Sequence, residues 1–208
     1  MKKAILVTLI ALVGIVAAPN SAHAQFDLKK IGNLFSGSST KKTSPYKTLA
    51  ENAPAKSEIT GVWTYSNFDL EYLGSNTIAD AAIDQVEGFA REELKNGGIT
   101  AGCFTITLNK SGKASFCYDK YIYEGSYTYD TSNARFVLNA TADNGKSISC
   151  GGFLTMKYGK FVVMLNAEDA IKAFKTMLPG GEDDEMFVMI ENLVANFPGI
   201  YISMYYSR

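Results

Sequence analysis

Turns fix the register of antiparallel strands, and four turns of this chain, each read on its own, put the large apolar side chains on one face. In GCFTITLNKSGKASFCYD, residues 102–119, Asn109-Lys110-Ser111-Gly112 suits a type I turn followed by a left-handed glycine. Pairing Asn109 with Lys113 sets Leu108 against Ala114, Ile106 against Phe116 and Phe104 against Tyr118. The next connection, Asp119-Lys120, keeps that face if Tyr118 opposes Tyr121 and Phe116 opposes Tyr123. A loop over Thr131 to Ala134 brings Tyr129 to Phe136 and Tyr127 to Leu138. The Tyr158-Gly159 turn does the same for Met156 with Phe161 and Leu154 with Val163. Consecutive hairpins that share one apolar face, with no second sheet to cover it, predict a closed up-and-down antiparallel barrel, because closure removes the edge strands.

The spacing predicts about eight strands, near 59–66, 102–109, 113–119, 121–130, 134–142, 146–157, 160–166 and 199–207. Three helices interrupt them. One starts at Thr77 to Asp80, carries a stripe of Ile78, Ala82, Val86, Phe89 and Ala90, and stops at Gly97. Asn166 caps a second, with Ala170, Ile171, Phe174 and Met177 on one side and Pro179 beyond its end. A third follows the acids Glu182 to Glu185 and presents Phe187, Ile190 and Val194. The fold class expected is mainly β with helical insertions. The helix after the first strand is placed to cover one mouth of the barrel.

The barrel domain is expected over 58–208. Before it, residues 1–24 read as a secretory signal peptide: Lys2 and Lys3, an apolar run from Ala4 to Ala18, and an Ala22-His23-Ala24 cleavage site. No cysteine follows that site to carry a lipid. Residues 25–57, with SGSSTKKTSPYK and ENAPAKSE, read as a flexible tether, in which FDLKKIGNLF forms at most a short amphipathic turn. The expectation is export to the periplasm or the medium, with no transmembrane segment left in the processed chain.

Processing narrows the chemistry. His23 is the only histidine, so its loss removes Ser-His-Asp and Cys-His pairs and imidazole metal sites. Losing Lys2 and Lys3 takes 20 basic residues to 18 against 21 acidic, a net charge of about −3 that disfavours nucleic acid. A carboxylate pair needs no histidine, but Glu124, Asp130 and Asp143 read as solvent-facing or turn residues. No catalytic constellation, cofactor or metal is implied, and the chain is expected not to be an enzyme. The acids of GGEDDEM, 180–186, suit a helix N-terminus and match no EF-hand spacing.

Three cysteines remain. Strand parity puts Cys103 and Cys117 on the outer face and Cys150 with Leu154 and Met156 on the inner one. Cys103–Cys117 is the first candidate disulfide, although the register makes the two diagonal neighbours, at a separation of roughly 7–8 Å.

The chain's single tryptophan stands in Gly61-Val62-Trp63. Gly-x-Trp opening the first strand resembles the lipocalins and their calycin relatives, where the resemblance implies that the Trp closes one end of the barrel. GVWTYSNFDLEYLGSN, a helix through Ala90, GGITAGCFTITLNKSGKASF, EGSYTYD, FVVMLNAEDAIKAF and FPGIYISMYY together are similar to a lipocalin-like domain family of secreted bacterial proteins. The likeness covers most of 58–208, and Cys103 departs from it where a polar or small residue is expected. The family carries no assigned activity, so no catalytic residue is transferred.

A barrel of eight strands is just wide enough to be filled by its own side chains or to hold one small ligand. Trp63, Phe104, Phe116, Tyr118, Tyr121, Tyr123, Tyr127, Tyr129 and Phe136 are the candidate lumen-lining residues for a small hydrophobic or amphipathic ligand. Ala114, Gly125 and Ala140 mark where space would remain. The competing expectation is a packed barrel that meets a protein or glycan partner through its outer surface.

Overall fold

The computed structural model describes residues 45–74, 76–96, 99–118, 121–141, 147–177 and 185–208. The signal peptide, the tether up to residue 44, the Asp119-Lys120 turn and the acids at 182–184 lie outside these. Eight strands close into a barrel in chain order, each antiparallel to the next. They are β1 (Gly61–Tyr72), β2 (Phe104–Leu108), β3 (Lys113–Tyr118), β4 (Tyr121–Asp130), β5 (Arg135–Thr141), β6 (Ser147–Lys157), β7 (Lys160–Asn166) and β8 (Ile200–Ser207).

The registers follow from the turns. Asn109 Oδ1 accepts from the backbone N–H of Ser111 (3.1 Å) and Lys113 (3.0 Å), and Gly112 takes the left-handed conformation at φ +83°. Leu108 then faces Ala114, and Ile106 faces Phe116. Asp130 organises the next turn, accepting from Ser132 N–H at 2.9 Å and Asn133 Nδ2 at 2.8 Å. These bonds hold its carboxyl below the usual range, as expected of a turn residue rather than a catalytic acid. Tyr158 and Gly159, both at positive φ, close the β6–β7 hairpin.

β1 runs further than the sequence spacing predicts. A bulge between Tyr65 and Asn67 adds one residue, so Trp63 and Tyr65 point inward before it and Phe68 and Leu70 after it. Strict alternation read without the bulge ends the strand at Ser66.

The hairpin turns of β2–β3, β4–β5 and β6–β7 share one end of the barrel. Both long connections leave from the other end, and both carry helices. α3 (Thr77–Asn96) joins β1 to β2; α4 (Ala167–Met177) and α5 (Glu185–Asn196) join β7 to β8. Asn166 Oδ1 caps α4 by accepting from Asp169 N–H at 3.1 Å. Ala82, Ile83, Val86 and Ala90 of α3, Ala170 and Ile171 of α4, and Leu193 of α5 join one buried cluster with the barrel interior. The helices therefore plug this mouth. Arg91 fastens α3 to the bulged strand through Asn67 Oδ1 (2.7 Å), Glu87 and Asp69, while Glu87 Oε2 accepts from Leu70 N–H at 2.7 Å.

The expected tether of 25–57 needs correction over its last part. Pro45–Glu51 forms a short helix, α1, and Lys56–Ile59 a single turn, α2. Leu49 is buried, and α1 lies against an outer apolar face made by Phe153, Val162, Met164, Tyr201 and Tyr205. Tyr46, Leu49 and Ala53 recur at helical spacing, and the helix is held by that face rather than by its own propensity.

Candidate functional site

Most of the expected lumen residues turn out to be the core. Trp63, Phe104, Phe116, Tyr127 and Phe136 are all at most 5% exposed. At the hairpin end the rings pack on one another: Tyr65 stacks on Phe104 at 4.4 Å, Trp63 meets Phe161 at 4.8 Å, and Tyr206 stands edge-on to Tyr65 and Phe104. Trp63 Nε1 donates to Ile59 O at 2.8 Å, and the Arg208 guanidinium sits 4.3 Å from the indole. Arg208 Nη2 in turn donates to Glu58 O and Thr60 O. Gly61, at φ +136°, adopts a conformation that side-chain-bearing residues rarely take and lets the chain turn into β1 beneath that cation. Trp63 and Arg208 thus close the hairpin end.

The tyrosines of β4 divide by position. Tyr127 donates its hydroxyl to Asn109 O and Tyr129 to Pro54 O, each at 2.7 Å. Burial pushes the Tyr129 phenol up to about 12, helped by Glu58 and Asp130. Both rings brace the hairpin end. Tyr123 is half-buried nearer the other mouth. Tyr118 and Tyr121 face each other in register, and their side chains lie outside the description.

No disulfide joins Cys103 to Cys117. Cys117 lies opposite Thr105, as the register required. Cys103, however, does not obey strand parity. It precedes β2 in a turn in which its N–H bonds Thr100 O, and it packs against the inner core beside Tyr65 and Tyr206. The two thiols therefore point to opposite sides of the wall. Cys150 is buried inside as expected, with Sγ 3.7 Å from Asp169 O, and burial raises its thiol to about 12.

One part of the wall differs from this packed interior. Among the described residues β4 pairs with β5 from Gly125↔Ala140 downward, whereas Tyr121 to Glu124 are in register with β3. Where β4 and β5 part, an opening of about 410 Å³ forms. Gly125, Ala140 and Ile148, neighbours in register across three strands, make its apolar floor; Glu124, Ser126, Asn139 and Ser147 supply a polar rim. A Cβ on Gly125 would stand 2.5 Å from Asn139 O, so only glycine lets the two backbones meet at the point of divergence. Ala114, directly across from Gly125 on β3, keeps the row small. The three small residues singled out in the sequence therefore lie side by side, and Ala140 and Gly125 remain partly exposed among buried neighbours.

The rim offers hydroxyls, an amide and one carboxylate, without a nucleophile paired to a base. Among the described residues no group of His, Cys, Asp and Glu is placed to hold a metal, and no helix is long and apolar enough to cross a membrane.

A family model described as "Lipocalin-like domain (DUF4923)" matches residues 31–208. The chain belongs to this lipocalin-like family. The match begins well before β1, so the family takes in the segment that packs α1 against the barrel. No curated protein and no solved structure matches the chain.

Proposed function

We propose that this lipocalin-like domain is an exported, non-catalytic binding module for a small amphipathic molecule, seated at the opening between β4 and β5 rather than deep in the barrel. The observation that carries the reading is the contrast in packing. Interlocked rings fill the hairpin end and helices plug the far mouth, while Gly125 and Ala140 stay partly exposed at the floor of the opening between β4 and β5. A site with an apolar floor and a ring of hydroxyls and amides suits a ligand with one apolar and one polar edge. The Ser126, Ser147 and Asn139 side chains of the rim fix orientation without supplying reaction chemistry.

The packed interior also favours a second reading, in which the outer wall meets a protein or glycan partner. Among the described residues its large exposed apolar side chains, Tyr46, Val62, Ile122, Met156 and Tyr158, are spread over α1, β1, β4, the end of β6 and its turn, so the opening is the stronger candidate.

Native mass spectrometry of protein taken from its own compartment, before and after solvent extraction, tests the proposal. The expected result is a defined adduct lost on extraction and absent from Ala140→Phe, which fills the opening. A bare mass with no uptake from a lipid and metabolite mixture overturns it and leaves the outer-wall reading. The same spectrum reads the N-terminus: a mass lacking residues 1–24 is expected.

A further inference from the structure

A separate cavity of about 320 Å³ lies on the outside of the barrel, where α1 and the start of α4 overhang β5, β6 and β8. Its walls are aromatic. The Phe153 ring lies 5.8 Å from that of Tyr46 and 5.5 Å from that of Tyr201, each tilted by about fifty degrees. Phe153 and Tyr201 are buried, whereas Tyr46 is 44% exposed and forms the outer lip. Gly151 leaves the floor bare: its Cβ would stand 3.2 Å from Asp169 Oδ2, which accepts its N–H at 3.1 Å.

The polar groups here are mixed in kind. The Arg135 guanidinium, 5.9 Å from the Phe153 ring, has no carboxylate partner among the described residues. The Asn166 amide faces the Tyr201 hydroxyl, and its carbonyl oxygen is engaged by Asp169 N–H. Asp169 keeps one carboxylate oxygen clear of the Gly151 bond.

We propose that this cavity is a second binding site, for a pyranose sugar, independent of the opening between β4 and β5. The chemistry selects among ligands. A simple anion meets Asp169, a simple cation meets Arg135, and a purely apolar ligand leaves both charges without partners. A sugar ring satisfies all of them. Its C–H face lies on the negative face of an aromatic ring, and its hydroxyls both donate and accept, matching a carboxylate, an amide and a guanidinium fork. The volume lies at the lower end of the small-molecule range, so the site takes one ring rather than a chain buried along its length.

The test is an amide NMR titration of the full chain with glucose, N-acetylglucosamine, glucuronate and, as an acyclic polyol, sorbitol. Millimolar binding of at least one ring sugar is expected, with shifts at Gly151, Gly152 and Asp169 and none from sorbitol. Tyr46→Ala, which removes the lip, and Gly151→Leu, which fills the floor, are each expected to weaken binding about tenfold or more. If Gly151→Leu fails to fold, Tyr46→Ala decides alone, because that ring stands at the outer lip and not in the core. No shift at these amides with any ring sugar, equal binding of sorbitol, or shifts that survive Tyr46→Ala would overturn the proposal. Ala140→Phe leaves this titration unchanged, which separates its outcome from that of the other opening.

Discussion

Trp63 does several jobs with one side chain. Its ring fills the hairpin end against Phe161, its N–H satisfies Ile59 O, and its face receives Arg208. Trp63→Ala is therefore expected to cost about 3–5 kcal/mol, since it leaves a large cavity and the Ile59 carbonyl without its donor. Arg208→Ala should cost about 1 kcal/mol through the lost cation–π contact. Denaturant midpoints measure both, with circular dichroism as the signal because Trp63→Ala removes the only indole. The role of Trp63 was legible from Gly-x-Trp, whereas its cationic partner was not, because nothing local ties Arg208 to Trp63. Cysteine behaviour follows from position in the same way. Cys150, buried and pushed up to about 12, should resist a thiol reagent at neutral pH until the protein unfolds. Rapid labelling of Cys150 in the native state would contradict the structure.

Among the elements, α3 and the bulge of β1 form one unit. Glu87 of the helix accepts from Leu70 N–H of the strand, and Arg91 reaches Asn67 and Asp69 on the strand and Glu87 on its own helix. Its side chain is 38% exposed, so water screens much of the attraction. Arg91→Ala is expected to cost about 1–2 kcal/mol and to raise hydrogen exchange in α3 while β6 and β7 keep their protection. The hairpins were legible because Asn109-x-x-Gly and Tyr158-Gly159 state their own turn geometry. The far half of β1 was not, since the bulge at Ser66 reverses the alternation that identifies a strand. α1 was missed for a different reason: a helix of seven residues has no stability of its own, and the outer face that holds it is assembled from β6, β7 and β8. The opening was half legible. Ala114, Gly125 and Ala140 stood out as small, but the parting of β4 from β5 is a property of the closed sheet.

At the level of the whole molecule, the interior holds titratable groups in their neutral forms. Burial raises Cys150 from 9.0, and Tyr65 and Tyr129 from 10.0, to about 12, and Tyr206 is raised as well. Raised values mean that the unfolded chain loses these protons first. Their contribution to stability is complete below about pH 9 and is lost as pH climbs towards 12. Denaturant midpoints should therefore be level through neutrality and fall across that alkaline window. Tyrosinate absorbance from the buried rings should appear together with unfolding rather than ahead of it; a gradual titration of all the tyrosines, buried and exposed alike, before unfolding would show that the rings are not packed as described.

The seam between β1 and β8 also sets a clock. Ser66 and Tyr205, which bond across it, are 139 positions apart in the chain. Every other wall of the barrel zips from a short hairpin or a neighbouring strand, but this one waits for both ends of the domain to be present together. Loop-closure entropy taxes such a meeting before any contact rewards it. During synthesis the β8-facing edge of β1 stays open until β8 emerges, so for that interval the half of the strand bearing Phe68 and Leu70, which lies beyond the β2 register, is exposed to whatever holds newly made chains.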